Sequence, residues 1–451
     1  MTFLPLKSGL ESQRERSEKG KKAFKSDIMR TLYPPRLMMS YEKGSDIMYT
    51  DSQSKRIKNI PKARIFHVIG ALNVGGAEKY LARLANSLDR EKFNLWIVHT
   101  NGDSIVRELS ENVKVIKLQE RKATAMNPLD WLNVVRFRRL MRNLNIDLVN
   151  THGAGIFCIA AWIAAKSLKI PVVHTIQHVY AVRSKTEDLT IKIPGLRHFL
   201  YSLVDIYIAF CVYMKNEFVN LWKIPPQKIY LNPLGVDLNK FKPLPETKIK
   251  LRQELSIESD APIIGVVARL SPVKGVHKGI RILSRIREEI PNVKLIIVGD
   301  GPMKGEYEKL VTDLNLRKNV VFTGFRNDIP HLMNIFDIYL QTTDAPLLGN
   351  TTLEAMAVGK PIVTIVQNKV EEAMARETVI EGYNGILIPL NHPEAVTRLI
   401  KLLKDKKTLD EMGKASRRLA EEKFDWNLHV ENMEKLYMDL IYASRKHKRI
   451  F

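Results

Sequence analysis

The sequence lacks the residues that mark disulfide scaffolds and metal-binding proteins. Of its 451 residues only two are cysteines, Cys158 and Cys211, and both lie in apolar stretches without metal-ligand spacing. So few cysteines argue against a disulfide scaffold and fit a reducing compartment. No H-E-x-x-H motif and no paired Cys/His spacing occurs, so the sequence indicates no metal site.

Long hydrophobic runs are also lacking. The longest uncharged apolar run, residues 156–165, is about half the ~20 residues that a bilayer-spanning helix needs, and the longer stretch at 199–214 is broken by Asp205. Residues 1–10 contain no apolar signal-peptide core. These absences predict a cytoplasmic protein that is soluble or at most peripheral on the cytoplasmic face of a membrane.

Acidic residues are too few to balance the basic ones. The chain has 71 Lys and Arg against 49 Asp and Glu, a net charge of +22, and an isoelectric point near 9.7. Residues 1–64 carry 15 of the basic and 7 of the acidic residues, so most of the excess belongs to the folded body. Such a charge suits nucleic acid, an anionic membrane or a phosphorylated substrate, but no nucleic-acid motif accompanies it.

What the sequence has is a repeated alternation of short apolar strands and amphipathic helices. One run begins at residue 63 and another at residue 262, with a polar segment rich in proline and lysine at 240–250 between them. The alternation predicts an α/β protein with parallel, helix-covered sheets. We predict a disordered or weakly helical basic extension at 1–62, domains at 63–245 and 246–425, and a last helix with a basic tail at 426–451.

The most informative stretch is residues 340–364, which indicates strand, loop, helix and strand in turn. Asn350 stands where a helix N-cap is expected, and Gly359 stands where that helix should end. The N–H groups at the start of such a helix can hold a phosphate. Glu354, one turn inside, could accept hydrogen bonds from ribose hydroxyls.

Further candidates fall where strands of the second run end, the edge at which open α/β sheets bind ligands. Arg269 and Lys274 are five residues apart around a turn, and a guanidinium beside an ammonium suits a diphosphate. The alternative is a pair of solvated surface charges. A tight glycine turn contains Gly301. Another turn, whose backbone and flat ring could hold a nucleobase, contains Gly324, Phe325 and Arg326.

In the first run, Gly75 and Gly76 precede an amphipathic helix and would let the backbone approach a phosphate or sugar. They do not form G-x-G-x-x-G, and a plain tight turn is equally compatible with them. His152 follows a strand and could touch a sugar hydroxyl or stabilise charge, although an isolated histidine is more often a packed residue. The histidines predicted inside strands, and therefore packed, are His67, His99 and His174.

Five motifs occur in a characteristic order and spacing. They are GGAE at 75–78, ARLSPVKG at 268–275, VGDGP at 298–302, VVFTGF at 320–325 and LEAMAVGKPIV at 353–363. Together they make the chain resemble, over roughly residues 65–442, the retaining, nucleotide-sugar-dependent glycosyltransferases of the GT-B fold, family 4 (glycosyl transferases group 1).

The resemblance implies two Rossmann-like domains facing across a cleft, the first for the acceptor and the second for the nucleotide-sugar donor. The last helix is expected to cross back to the first domain. The implied reaction transfers a sugar from a UDP- or GDP-sugar to a glycan or lipid-linked acceptor with retention of configuration. The family needs neither a metal ion nor another cofactor, because cationic side chains and a helix dipole carry that charge role.

The resemblance also assigns roles to individual residues. Arg269 and Lys274 would neutralise the donor diphosphate, and Glu354 would hold the ribose. His152 would lie near the reacting sugar. The remaining donor contacts are expected from Gly75, Gly76, Gly301, Gly324, Phe325, Arg326, Asn350, Thr351 and Thr352.

One position departs from the family pattern. The family usually carries two glutamates eight positions apart, the first touching the donor sugar, but Pro346 stands eight positions before Glu354. Asp344 is the nearest acid and is a candidate sugar contact, as is Asn350. Gln177 stands where many relatives carry histidine, with His178 beside it. These differences leave the identity of the sugar open.

Two other functions share much of this pattern. A catalytically silent nucleotide-sugar-binding protein would keep the donor site, and a GT-B-fold sugar-nucleotide epimerase would keep the phosphate site. The arginine-bearing helix at 131–144 and the apolar-basic stretch at 191–203 also suit an anionic membrane surface, although amphipathic helices on a core have the same pattern.

Overall fold

The computed structural model describes residues 61–73, 75–118, 132–153, 155–176, 195–343, 349–390 and 393–450. Residues from Lys62 onward form one compact unit. Nearly all of the predicted N-terminal extension at 1–62 lies outside the described residues.

The first half of the compact unit is built on a seven-stranded parallel sheet in the order β3-β2-β1-β4-β5-β6-β7. Its strands are β1 (Ala63–Ile69), β2 (Phe93–His99), β3 (Val113–Lys117), β4 (Leu148–His152), β5 (Val172–Thr175), β6 (Ile206–Ala209) and β7 (Ile229–Leu231). Its helices are α1 (Gly76–Ser87), α2 (Leu132–Asn143), α3 (Ile156–Ser167), α4 (Leu196–Ser202) and α5 (Val212–Asn220).

The second half is built on a six-stranded parallel sheet in the order β10-β9-β8-β11-β12-β13. Its strands are β8 (Ile263–Val267), β9 (Lys294–Val298), β10 (Val320–Gly324), β11 (Ile338–Gln341), β12 (Ile362–Val366) and β13 (Gly385–Pro389). Its helices are α6 (Lys248–Glu254), α7 (Val276–Glu289), α8 (Lys304–Asp313), α9 (Ile329–Ile335), α10 (Asn350–Ala357), α11 (Lys369–Ala375), α12 (Pro393–Lys404) and α13 (Lys406–Lys423).

The strand order explains where a ligand can bind. In each sheet the order reverses beside the first strand, between β1 and β4 and between β8 and β11. Loops diverge there at the carboxyl edge and leave a crevice, the usual ligand site of a doubly wound sheet. Beside these points, β4 and β8 are buried along their whole length, which fits the continuous apolar run of β8.

The predicted parallel α/β architecture is confirmed, with local corrections. Helix α6 begins inside the segment predicted as a linker at 240–250, and α4, α5 and α11 are short helices that the periodicity did not indicate. The N-cap of α10 is Gly349, and Asn350 is its first helical residue, so the predicted N-cap was wrong by one position.

The chain crosses between the two halves at two places that pair with each other. The Val236 N–H donates to the Phe424 carbonyl at 2.6 Å, and the Trp426 N–H donates to the Val236 carbonyl at 3.0 Å. The last helix, α14 (Trp426–Ile450), then packs on the first sheet. There Tyr437 is fully buried, and its hydroxyl accepts a hydrogen bond from Asn150 Nδ2 at 2.6 Å. The predicted crossing of the last helix is therefore confirmed.

The crossing depends on close backbone contact at Gly235. A Cβ added there would lie 2.5 Å from the Trp426 Cα atom. We expect Gly235→Ala to lower the free energy of unfolding by about 1–3 kcal/mol, because the two crossings would be forced apart. Urea denaturation measures this change. Gly305→Ala, where the space is open, is the matched control, and an equal loss there would contradict the explanation.

Candidate active site

A side-chain hydrogen bond joins the two loops that border the crevice of the second sheet, one after β8 and the other after β11. The Thr342 hydroxyl, just after β11, donates to the Lys274 carbonyl at 2.7 Å. Lys274 ends a 3-10 turn that follows β8, and Gly275, with φ of +58°, turns the chain into α7. The turn that carries Lys274 is thus fixed beside the loop that leads to α10.

Two cations at this crevice lack anionic partners. Arg269 is exposed and Lys274 is partly buried, and neither side chain makes a hydrogen bond or ion pair with another described residue. Burial lowers the pKa of Lys274, and no carboxylate offsets this effect. A cation held without a counter-ion in a concave site attracts an anion from solution.

The glycine turn after β9 packs directly on the loop that carries Arg269. A Cβ at Gly301 would lie 2.3 Å from the Leu270 carbonyl oxygen. The Leu270 N–H in turn donates to the Asp300 carbonyl at 2.9 Å. Glycine is therefore needed at 301 for the close approach that shapes this side of the crevice.

The next turn presents an aromatic ring to solvent. Gly324 has φ of +67°, and the Phe325 side chain is 76% exposed. The Arg326 guanidinium binds Asp328 at 2.6 Å and Glu254 at 2.8 Å. These carboxylates hold the pKa of Arg326 above its usual range. The ion pairs of Arg326 thus fix the turn, and the ring of Phe325 in the same turn is exposed to solvent.

Helix α10 begins at the crevice. Asn350 is exposed, whereas Thr351 accepts a hydrogen bond from the Tyr339 hydroxyl at 2.7 Å and Thr352 is buried. The side chains of the first turn therefore fix the helix on β11, and its N-terminal end lies at the carboxyl edge of the sheet. Its N-terminal dipole favours an anion at that edge.

Glu354 faces the first half of the molecule. Burial raises its pKa to about 7, and the positive charges of Lys240, Arg83 and Lys79 oppose that rise. Lys79 and Arg83 are both on α1, which follows the glycine loop of the first sheet. The carboxylate of α10 and the basic side of α1 are thus close enough to interact across the cleft.

Arg83 also binds both chain crossings. Its guanidinium carbon lies 3.8 Å from the centre of the Trp426 ring, and its Nη1 donates to the Gly235 carbonyl at 3.4 Å. The two crossings therefore position Arg83, one of the cations that act on Glu354.

The crevice of the first sheet contains the start of α1 and the end of β4. Gly75 is the N-cap of α1, where a Cβ would lie 2.3 Å from Glu78 Oε2, and Gly76 faces open space. His152 is the last residue of β4 and is 1% exposed. The sequence predicted His152 in a loop after the strand, with room for a substrate. That prediction was wrong, because His152 belongs to the strand and is buried.

His152 is packed against another histidine. Its Nε2 lies 3.0 Å from Nδ1 of His67, which is fully buried in β1. Burial lowers the pKa of His152 well below its usual value and that of His67 to about 3, so both rings are neutral at physiological pH. His67 was predicted to be a packed residue, which is confirmed, but its bond to His152 was not foreseen.

Three positions of interest from the sequence, Asp344, Pro346 and Gln177, lie outside the described residues together with His178. The structure therefore brings together Arg269, Lys274, Gly301 and the start of α10 around one crevice. Gly75, Gly76 and His152 lie at the other.

Comparison with known proteins finds a family model that matches each half of the chain. Residues 74–240 match the family model described as Glycosyltransferase Family 4, and residues 247–419 match the one described as Glycosyl transferases group 1. The chain belongs to this glycosyltransferase family. The family membership inferred from the five motifs is confirmed, and the protein is an enzyme, a glycosyltransferase.

Two relatives show how far the similarity extends. The Escherichia coli UDP-Gal:alpha-D-GlcNAc-diphosphoundecaprenol alpha-1,3-galactosyltransferase is 24% identical over 392 residues, covering 84% of this chain and 98% of that protein. The GDP-mannose-dependent alpha-(1-6)-phosphatidylinositol monomannoside mannosyltransferase of Mycolicibacterium smegmatis is 31% identical over 242 residues, covering 51% of this chain and 62% of that protein.

A solved structure agrees with the fold. The crystal structure of HepE from Anabaena in complex with UDP matches this glycosyltransferase with a TM-score of 0.68 at 22% identity, covering 84% of this chain and 100% of that chain. The predicted GT-B fold is confirmed.

Two further observations concern only the described residues of the glycosyltransferase. They contain no group of three or more His, Cys, Asp and Glu side chains arranged to hold a metal ion. None of their helices combines the length and the apolar composition that a bilayer span requires.

The raised pKa of Glu354 gives a stability prediction. Between pH 4.5 and about 7 the folded state keeps a proton that the unfolded state has lost, so this group reduces stability as the pH rises through that range. We expect Glu354→Gln to raise the melting temperature at pH 8 and to leave it unchanged near pH 4.5. Thermal unfolding at both pH values checks this, and an equal shift at both would contradict the burial of an ionisable carboxyl.

Proposed function

We propose that the protein transfers a hexose from a UDP- or GDP-sugar to a glycan or lipid-linked acceptor, with retention of configuration and without a metal ion. The observation that carries the proposal is the pair of unpartnered cations, Arg269 and Lys274, fixed beside the loop that leads to α10. A nucleoside diphosphate supplies the anion that these groups lack.

The names of the two relatives support the substrate class. One name specifies a UDP-sugar and a diphosphoundecaprenol acceptor, and the other specifies GDP-mannose and a phosphatidylinositol mannoside. Both acceptors carry lipid. We also propose an acceptor domain at 63–245 and a donor domain at 246–425, and the separate spans of the two family models, 74–240 and 247–419, support this division.

The donor would lie along the crevice of the second sheet. Phe325 offers its ring to the base, and Glu354 accepts hydrogen bonds from the ribose hydroxyls. Ionised Glu354 accepts both bonds, so the nearby cations of α1 favour its binding form. Lys274 and Arg269 bind the diphosphate, while the N–H groups of α10 face its negative charge.

The chemical step requires charge stabilisation on the leaving diphosphate. As the bond from the sugar to the diphosphate breaks, negative charge grows on the oxygen that departs. Lys274, the N-terminal end of α10 and Arg269 stabilise this charge more than that of the intact donor, which accelerates the step. The acceptor hydroxyl attacks from the face that the diphosphate leaves, and its proton passes to the departing phosphate oxygen. His152 is neutral in this environment and would act on the sugar as a hydrogen-bonding group rather than as a cation.

Removing the Lys274 ammonium tests this assignment. We expect Lys274→Ala to lower turnover by on the order of 10²–10³-fold, because a charge that stabilises the departing diphosphate is lost. Transfer and slow donor hydrolysis are measured with labelled UDP- and GDP-sugars. Arg281→Ala, at an exposed position of α7, is the control. Unchanged turnover in Lys274→Ala would refute the assignment, and donor binding without any transfer or hydrolysis would favour a silent binding protein.

The acceptor domain also suits a peripheral position on an anionic membrane. Helix α2 carries four arginines, and Leu132 and Val135 on the same helix are 44% and 59% exposed. A helix with exposed apolar residues and several arginines can bind at the lipid interface, where each basic residue contributes about 1 kcal/mol. The arginines are Arg136, Arg138, Arg139 and Arg142.

Charge reversal on α2 tests the membrane interaction. We expect the double variant Arg139→Glu and Arg142→Glu to bind phosphatidylglycerol-containing vesicles at least about tenfold more weakly, with no change on phosphatidylcholine vesicles. Vesicle sedimentation measures the binding. Arg285→Glu, an exposed arginine of α7, serves as control. An equal loss in the control would mean that only net charge matters.

A further inference from the structure

Two histidines face each other where the strand order of the first sheet reverses. His67 lies in β1 and His152 ends β4, and these strands pair so that His67 is opposite Asn150. Asn150 and His152 are two residues apart on one strand, so the side chains of His67 and His152 lie on the same face of the sheet. The centres of their rings are 5.3 Å apart.

The hydrogen bond between the rings occupies one nitrogen of each. Nδ1 of His67 lies 3.0 Å from Nε2 of His152. Because both rings are neutral, one of these nitrogens donates and the other accepts. The other two nitrogens, His152 Nδ1 and His67 Nε2, are buried and make no hydrogen bond with a described residue. His152 Nδ1 is therefore the ring nitrogen of His152 that remains for a ligand.

The packing of β1 does not require a histidine at position 67. The other residues from Ile65 to Ile69 are apolar, and all five are buried. An imidazole with one unpaired nitrogen costs more free energy to bury than an apolar side chain does. The ring of His67 also contacts the Tyr437 ring, centre to centre at 6.3 Å, but an apolar side chain could make that contact. The bond to His152 is what distinguishes a histidine here.

Open space begins directly after His152. A Cβ added at Gly153, the next residue, would meet no atom of the described residues within 4 Å, and the same holds at Gly76 in the first turn of α1. This is the carboxyl edge of the sheet, where the crevice lies. A ligand in the crevice would therefore meet His152 first, with His67 behind it.

We propose that His67 is a positioning residue that fixes the ring of His152 through the bond between Nδ1 and Nε2, so that Nδ1 of His152 is kept for the donor sugar. This inference rests on the proposed sugar transfer and on the place of His152 beside the reacting sugar. His67 itself touches neither donor nor acceptor. Without it, the ring of His152 loses the partner that holds its orientation.

A double-mutant cycle tests this proposal. We expect His67→Leu to lower turnover by about tenfold or more, because a misoriented group loses most of its effect on the chemical step. Transfer and slow donor hydrolysis are measured with labelled UDP- and GDP-sugars. In a His152→Ala background, the same substitution should change turnover by less than about twofold, since its effect passes through His152. The loss should appear in kcat rather than in the donor KM, because the groups that bind the nucleotide are intact.

Two further variants separate positioning from core packing. His67→Asn keeps an amide that can donate or accept near the place of Nδ1, and it should recover most of the turnover that His67→Leu loses. His99→Leu is the matched control, because His99 is also fully buried in a strand but its Nδ1 lies 3.3 Å from the Asn101 carbonyl oxygen. It should leave turnover unchanged.

The positioning role would be overturned by unchanged turnover in His67→Leu or in His152→Ala, or by an undiminished effect of His67→Leu in the His152→Ala background. An equal loss in His99→Leu, or no recovery in His67→Asn, would overturn it as well. Failure of the unmodified protein to transfer or hydrolyse any nucleotide sugar would instead refute the proposed function. If Lys274→Ala is impaired and His67→Leu is not, the proposed function stands and only the role of His67 is refuted.

Discussion

The paired crossings at Val236 and Asp425 are the constraint on which the cleft depends. Two short backbone hydrogen bonds fix the chain where it leaves the first sheet against the chain where it returns. Arg83 adds a bond to one crossing and stacks on the Trp426 ring of the other. Because Arg83 also acts on Glu354 through its charge, the geometry of the crossings determines which residues of α1 face α10. The electrostatic environment of the Glu354 carboxylate thus depends on backbone contacts at the crossings.

Two charged groups at the cleft lower the stability of the empty protein and suit the binding of a ligand. Lys274 is partly buried without a counter-ion, and Glu354 is partly buried with a raised pKa. Each group costs folding free energy in the empty protein, and the proposed donor would offset that cost with its negative diphosphate at Lys274 and its ribose hydroxyls at Glu354. By contrast, Arg326 is fully paired with Asp328 and Glu254 and stabilises the turn beside the exposed Phe325 ring.

The sequence predicted the elements that apolar periodicity determines and missed those that tertiary contacts determine. Strands such as β8 are uninterrupted apolar runs, so both sheets could be inferred, and the turn at Gly301 followed from its glycines. Helix α11 spans seven residues and begins at an Asn368 cap, a local signal too weak for a period-based prediction. The burial of His152 could not be predicted, because it depends on His67 in the neighbouring strand, 85 positions earlier.

The place of α14 in the fold has a consequence for the synthesis of the chain. Met433 and Tyr437 are fully buried among residues of the first sheet, and Glu434 accepts a hydrogen bond from the Asp89 N–H at 2.7 Å. The half that leaves the ribosome first therefore lacks part of its core until nearly the whole chain has been made. The second sheet has all of its strands and its helices through α13 before that point. Because domains generally fold as units during translation, the later half of this protein can complete its core before the earlier one.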